Sequence, residues 1–380
     1  MKKSYLLIAT TALLFASCSN NDEPATTDNG GGEIAADIDY TDKNAASWGN
    51  YMTQVSNLLK NDASNLYASW ATSYNGGKSF AETFKTHNGG DYSSAMSCVE
   101  QIIEGCADIA NEVGTAKIGD PYQLYMDGKI TQALYAVESW YSWHSRDDYS
   151  NNIYSIRNSY FGSRNGVVNP NSLSALVASK NPDLDAQVKA AINNAYNAIK
   201  NIPQPFRNNI NSNEARTAMT ACADLEELLS KTLSVAVQRY SEAELQKVVD
   251  NFVDDVVLPT YADLMQKNQA LHDAVMRFKN APSDANFSLA ADAWLTAREP
   301  WECSEAFLFG PVDALGLDPN MDSWPLDQDA IVQILNSGNF DNLNWSDGDD
   351  DDRIEAVQSV RGYHTLEFLI FKDGKPRKVK

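Results

Sequence analysis

From "AASWGNYMTQVSNLLKNDASNLYASWATS" (45–73) onward, apolar residues recur every three or four positions through long segments, and strand signals are almost absent. That spacing gives a helix one buried stripe, so the chain reads as all-α. It predicts helices over 45–73, 92–113, 129–142, 150–158, 185–201, 213–240, 242–280, 283–309 and 353–371. Ser283 stands before Asp284, and Ser241 stands three positions before Glu244, the spacing of a capping box. Pro259 lies inside an otherwise continuous pattern and predicts a kink, because proline lacks an N–H and clashes with the carbonyl one turn back.

At 380 residues the chain is about twice the commonest domain size. The helices are accordingly assigned to two packed four-helix-bundle-like domains, 38–240 and 241–380, meeting at the short corner "RYSEAEL". The start, "MKKSYLLIATTALLFASCSNNDEP", has a short basic stretch, an apolar run too short to span a bilayer as a mature helix, and small residues before Cys18. This reads as a lipoprotein signal peptide over 1–17, with Cys18 left to carry lipid and 18–37 serving as a flexible, Asn-, Asp-, Thr- and Gly-rich tether. The expected location is the cell envelope, lipid-anchored, facing either the periplasm or the surface. Lys and Arg number 30 against 51 Asp and Glu, a net charge of −21. Such a field repels nucleic acid and anionic lipid heads and favours cations, so contact with the membrane is expected only through the anchor. Cys98, Cys106, Cys222 and Cys303 form no C-x-x-C pair. Cys98 and Cys106 would lie about 12 Å apart along a helix, too far to bond each other.

Three stretches carry groups suited to chemistry. In "RGYHTLEFLIF" (361–371), His364 and Glu367 are three apart and share a helix face, which leaves a structural pair, a metal or small-ligand site, and peptidase chemistry all open. The H-x-x-E-H arrangement needs a histidine where Phe368 stands, and only His87, His144 and His272 remain to complete a histidine-rich site. In "AWLTAREPWECSEAFLFGPVD" (293–313), Trp294, Arg298 and Glu305 fall near one helical face with Trp301 and Glu302 close by, either an internal ion pair or a fork aimed at an anion. In "ESWYSWHSRDDYSNNIYSIRNSYFG" (138–162), hydroxyls, Asp148, Asn152 and aromatics crowd together, although no base–nucleophile pair can be assigned. A loop from Gly310 to Asp352 is long enough to suggest function. Its closing "DGDDDD" lacks the D-x-D-x-D-G order of a calcium loop and reads as a solvated acidic turn.

Taken together these stretches resemble the imelysin-like family of bacterial envelope proteins. "GYHTLEF" is similar to its G-x-H-x-x-E signature, "AWLTAREPWECSEAFLF" to its Ala-Trp, Ala-Arg and Glu-Ala-Phe segment, and "SWPLD" (323–327) to its W-P-L-D turn. The 138–162 stretch is similar to its Glu-Ser segment ending Tyr-x-Gly. The usual family order has the G-x-H-x-x-E segment first, so the resemblance implies a circular permutation, which surface termini tolerate. It further implies two four-helix bundles with a site between them and a role in iron uptake. His364 and Glu367 would then contact a metal, Fe2+ or Fe3+, while Arg298, Glu305, Ser139, Ser142 and Asp148 would contact an iron-related or small-molecule ligand, with Arg298 fixing Glu305 or an anionic group. Envelope transport proteins are the expected partners. The family was formerly classed with metallopeptidases, so a zinc enzyme with Glu305 or Glu302 as base is the alternative. Its ligand set is incomplete here, and turnover is not expected. A non-catalytic interaction module is the third reading.

Overall fold

A computed structural model describes residues 38–380 apart from 89, 91 and 347. The expected signal peptide, Cys18 and the tether lie outside the described residues. The fold is all-α, and its principal helices are α1 (Ala45–Ala71), α2 (Ala95–Glu112), α3 (Ser145–Phe161), α4 (Pro182–Lys200), α5 (Asn213–Glu227), α6 (Leu258–Asn280), α7 (Asp284–Glu302) and α8 (Gly362–Ile370). After α8 the chain forms a two-residue antiparallel ladder, Phe371–Lys372 against Lys375–Pro376.

The apolar stripe of α1, with Trp48, Tyr51, Met52, Val55, Leu59 and Leu66 all buried, decides the packing. It lies along α6, α6 lies along α7, and α8 closes against both α1 and α7. Trp48 Nε1 donates to the Leu369 carbonyl at 3.0 Å and Tyr51 hydroxyl to the Val360 carbonyl at 2.7 Å, so the first described helix is fastened to the chain's last. Helices α2, α3, α4 and α5 form the second group, joined to the first where α3 meets α7 and the turn Glu305–Phe307. The division at 240/241 therefore separates α1 from the helices it packs on. That division followed chain order, whereas the stripe of α1 finds its largest complementary faces in α6 and α8.

Several helix ends differ from the apolar pattern for local reasons. The run 242–280 is interrupted by a π-helical turn at Phe252–Val257, just before Pro259 in the first turn of α6. A wider turn accommodates the proline ring and the missing N–H. The 129–142 helix stops at Tyr135, and Ser139 (φ 50°) and Trp143 (φ 62°) then adopt the left-handed region, which turns the chain back sharply before α3. The 353–371 helix is two, Asp351–Gln358 and α8, broken ahead of Gly362. Helix α7 ends at Glu302, so Glu305 stands beyond it in a separate turn and not on its face. The long segment after Gly310 carries helices Pro311–Ala314, Leu317–Asp322 and Gln328–Ser337, and the acidic run supplies a cap: Asp350 Oδ1 accepts from Arg353 N at 2.9 Å. The two ends of the described chain touch, Arg377 Nη1 donating to the Ile38 carbonyl at 2.7 Å.

Candidate functional site

Gly362 sets the geometry. Its φ is +84°, and a Cβ there would stand 2.6 Å from the Met321 carbonyl oxygen and 3.2 Å from that of Asn320. Only glycine lets α8 start this close to the end of the Leu317–Asp322 helix. The contact carries Asp322 against His364: Nε2 of the ring lies 3.1 Å from Asp322 Oδ1, and Nδ1 lies 3.2 Å from Glu367 Oε2, one turn along α8. Trp324, from the "SWPLD" turn, packs edge-on to the imidazole with centroids 4.8 Å apart. Trp301 Nε1 donates to Asp322 Oδ2 at 2.7 Å.

Arg298 enters from α7, wholly buried. Its Nε donates to Asp148 Oδ2 at 3.0 Å, Nη1 donates to Asp322 Oδ1, and Nη2 lies 2.7 Å from Glu302 Oε1. From α3, Asp148 Oδ2 also accepts the Ser139 hydroxyl, and Asn152 Nδ2 donates to Glu302 Oε2 at 2.6 Å. Ser142 completes the ring, donating both N–H (2.8 Å) and hydroxyl (2.6 Å) to Glu367 Oε1. A fully buried arginine is tolerable because each face of its fork meets a carboxylate.

The charges follow from these contacts. Burial and Arg298 both act to lower the His364 pKa, but Asp322 and Glu367 outweigh them and lift it to about 9, so the ring is an imidazolium at neutral pH with both N–H groups on carboxylates. Burial would raise Asp322, yet Arg298 and His364 hold it far below the carboxylate range. Burial pushes Glu302 up to about 8 despite Arg298. Glu305 is raised well above its usual value by burial and by Glu302, against the pull of Lys117.

Of the residues singled out in the sequence, Ser139, Ser142, Asp148, Arg298, His364 and Glu367 are joined in one network. One expectation changes. Arg298 does not fix Glu305, because its fork is taken by Asp148, Glu302 and Asp322; Glu305 makes no hydrogen bond to the described residues. One oxygen each from Glu302, Glu305 and Asp322 lies within 4.8 Å of the others, a cluster able to hold a cation. His364 and Glu367 pair with each other, and their remaining polar contacts go to Asp322 and Ser142. The pair frames the site. His144 reaches its edge, Nε2 3.8 Å from Asp148 Oδ1, while His87 pairs with Gln246 and His272 with Ser56, so these histidines do not converge on His364. Asp322 and Lys117 escaped the sequence reading. Asp322 alone left a signal there, standing next to the "SWPLD" turn.

The family model for imelysin matches residues 13–232 and 257–379. The fold is similar to the crystal structure of an imelysin peptidase from Bacteroides ovatus, at 60% identity and a TM-score of 0.90, covering 91% of this chain and 99% of that one. The chain is also 32% identical over 131 residues to "Iron-regulated protein A" of Synechococcus elongatus. That match takes in 34% of this chain and 33% of the other, so the chain spans about a third of the length of this curated relative.

Proposed function

Because the chain belongs to the imelysin family, we propose that it is an envelope lipoprotein of iron uptake that binds iron where α3, α7 and α8 meet. The observation that carries this reading is the group Glu302, Glu305 and Asp322, one oxygen of each lying within 4.8 Å of the others, while Glu305 makes no hydrogen bond to the described residues. Two neighbouring polar atoms are also left over: the Tyr149 hydroxyl and Asn152 Oδ1 are buried without a partner. Buried polar atoms in that state call for a ligand or a water. An all-oxygen donor set suits a hard cation such as ferric iron, whereas zinc prefers nitrogen and sulfur. His364, Glu367, Arg298, Asp148, Ser139 and Ser142 hold the donors in place, so the metal contacts assigned from the motif to His364 and Glu367 pass to Glu302, Glu305 and Asp322.

Lipid attachment at Cys18, with envelope transport proteins as partners, belongs to the same proposal and rests on the sequence of the first 37 residues. Among the described residues no helix is long and apolar enough to cross a membrane. The permuted motif order is supported by the touching ends at Arg377 and Ile38, which a short connection could join.

The test is iron retention. Full-length protein is equilibrated with ferric citrate or, without oxygen, with ferrous ion, then desalted and assayed for metal. The wild type is expected to retain iron and Glu305→Gln to lose it; no retention by the wild type, or equal retention by both, refutes the reading.

A further inference from the structure

The net charge of −21 is an average, and one corner of the molecule has the opposite sign. Residues 372–380, "KDGKPRKVK", hold five of the 30 Lys and Arg and one of the 51 Asp and Glu. The fold gathers them at the turn between α6 and α7 and at the entry to α1. Val379 N donates to Asp284 Oδ1 at 2.9 Å, and Lys378 Nζ lies 3.7 Å from Asp284 Oδ2. Lys372 Nζ lies 3.3 Å from Asp39 Oδ1, and Lys380 pairs with Asp39 Oδ2. The Asp39 carbonyl accepts from Asn44 Nδ2 at 2.8 Å, which brings in the turn that carries Lys43. The last turn of α6 adds Arg277 and Lys279. Against these eight cations stand Asp39, Asp42, Asp284 and Asp373, a local balance of +4 from 8 − 4.

The backbone holds the patch in place. Gly374 has a φ of +72°, and a Cβ there would stand 2.5 Å from Trp143 Cδ2, so glycine lets the hairpin sit against that ring. Its N–H donates to the Tyr141 carbonyl at 2.9 Å. Buried Arg377 donates through Nε to the Phe368 carbonyl at 2.9 Å, with its guanidinium 5.1 Å from the Trp48 ring centroid. The ladder sets Lys372 directly opposite Lys375, a like-charged pair that costs stability. Among the described residues, exposed Lys43, Arg277, Lys279 and Lys375 enter no ion pair. Lys378 and Lys380 are 74% and 62% exposed, and exposed pairs of this kind are weak enough to exchange partners.

Position gives the patch its partner. Ile38 and Asp39 belong to it, and residues 19–37 alone separate them from Cys18, a reach of at most about 70 Å. A chain attached at Cys18 carries this corner nearest, along its length, to the point of attachment. Carboxylates elsewhere do not cancel it. Salt screens exposed charge over about 8 Å under physiological conditions, whereas α6 alone runs about 35 Å from this corner to its other end.

We propose that this corner docks on an anionic bilayer surface. The ammonium groups of Lys375, Lys378 and Lys380, with Lys43 and Lys279 beside them, meet lipid phosphates and fix which face of the protein turns to the membrane. The inference replaces the expectation, drawn from net charge alone, that the anchor is the only membrane contact. It rests on the anchor proposed above for proximity: alone the contact is weak and reversible, and the anchor holds it at about millimolar effective concentration.

The surface is testable without lipid attachment. Full-length chains carrying Cys18→Ala are mixed with vesicles of phosphatidylcholine alone or with about a third phosphatidylglycerol, and binding is read by co-sedimentation at low and high salt. Lys375→Gln, Lys378→Gln and Lys380→Gln are introduced together. Lys180→Gln, Lys231→Gln and Lys247→Gln, exposed lysines outside the patch, form a control with the same change in charge. Whatever the first residues contribute is common to every chain. The parent should prefer the anionic vesicles at low salt and lose that preference at high salt. Each lysine near an anionic surface strengthens binding a few-fold, so the patch variant should bind the anionic vesicles at least about tenfold more weakly, and the control by less than about twofold. No preference of the parent for anionic vesicles, or equal weakening in both variants, overturns the inference. Failure of the anchor shows separately, as an unmodified Cys18 in the mass spectrum of the wild type, and leaves the vesicle result standing.

Discussion

His364 should make the protein lose stability as the medium turns alkaline. The folded protein raises the ring from 6.5 to about 9. At about 1.4 kcal/mol for each tenfold change in proton affinity, the protonated ring contributes about 3 kcal/mol. The sign follows from the direction of the shift. A raised basic group stabilises fully below its unfolded value, so the contribution is complete below about pH 6.5 and disappears as pH climbs through about 9. Glu302, lifted to about 8, loses stability over an overlapping interval, because the unfolded chain gives up that proton first. The wild-type slope alone therefore does not isolate the histidine. His364→Gln does, since glutamine cannot take the charge: urea unfolding of both proteins at about pH 6 and about pH 9.5 should show a difference in stability that shrinks by about 3 kcal/mol between the two. The chain has only four histidines, so the ring can also be followed directly by proton NMR as the one resonance missing from the variant. A difference between wild type and His364→Gln that stays constant across this interval, or a His364 resonance titrating near 6.5, would refute the bridging imidazolium.

Gly362→Ala should lower stability by about 2–5 kcal/mol, summing about 1–2 for a left-handed alanine and about 1–3 for the collision with Met321, as read by denaturant unfolding. A change below about 0.5 kcal/mol, the range of ordinary surface substitutions, would show that the approach of α8 to Met321 is not tight. Arg298→Lys keeps the charge but loses the fork, and stranding parts of Asp148, Glu302 and Asp322 should cost about 3–5 kcal/mol; a lysine variant as stable as wild type would mean the three carboxylates are separately satisfied. Cys18→Ala should move the protein from the membrane to the soluble fraction, and membrane recovery of the variant would remove the anchor from the proposal.

The fold class was legible because burial imposes its period on sequence: the stripes of α1, α2 and α4 are visible as apolar spacing. Helix α3 was read too short, as 150–158, since its buried face holds Ser150, Asn152, Ser155, Asn158 and Ser159, whose hydrogen bonds make burial possible without an apolar pattern. The stop after Tyr135 was hidden for a different reason. Left-handed Ser139 and Trp143 are stabilised by tertiary contacts, among them Ser139 with Asp148, that local sequence does not record. Within the site, the motifs delivered Arg298, His364 and Asp148, and helical spacing then mis-paired Arg298 with Glu305, because the end of α7 at Glu302 was not foreseen. Asp322 joins Arg298 and His364 across 24 and 42 positions, and nothing in the residues around it announces that partnership.

The fastening of α1 to the last helix also governs when the protein can become itself. Trp48 is hydrogen-bonded to a residue 321 positions later and Tyr51 to one 309 positions later. A chain released residue by residue therefore presents α1 with its aromatic stripe uncovered until almost the whole polypeptide has emerged. Such distant pairings make folding slow and leave apolar surface open to association in the meantime. The polar network inherits this schedule: His364 and Glu367 follow all their partners, so Asp322 and Ser142 wait for the contacts that α8 brings. A form that lacks α8 lacks this network, and its assembly is among the last events of folding.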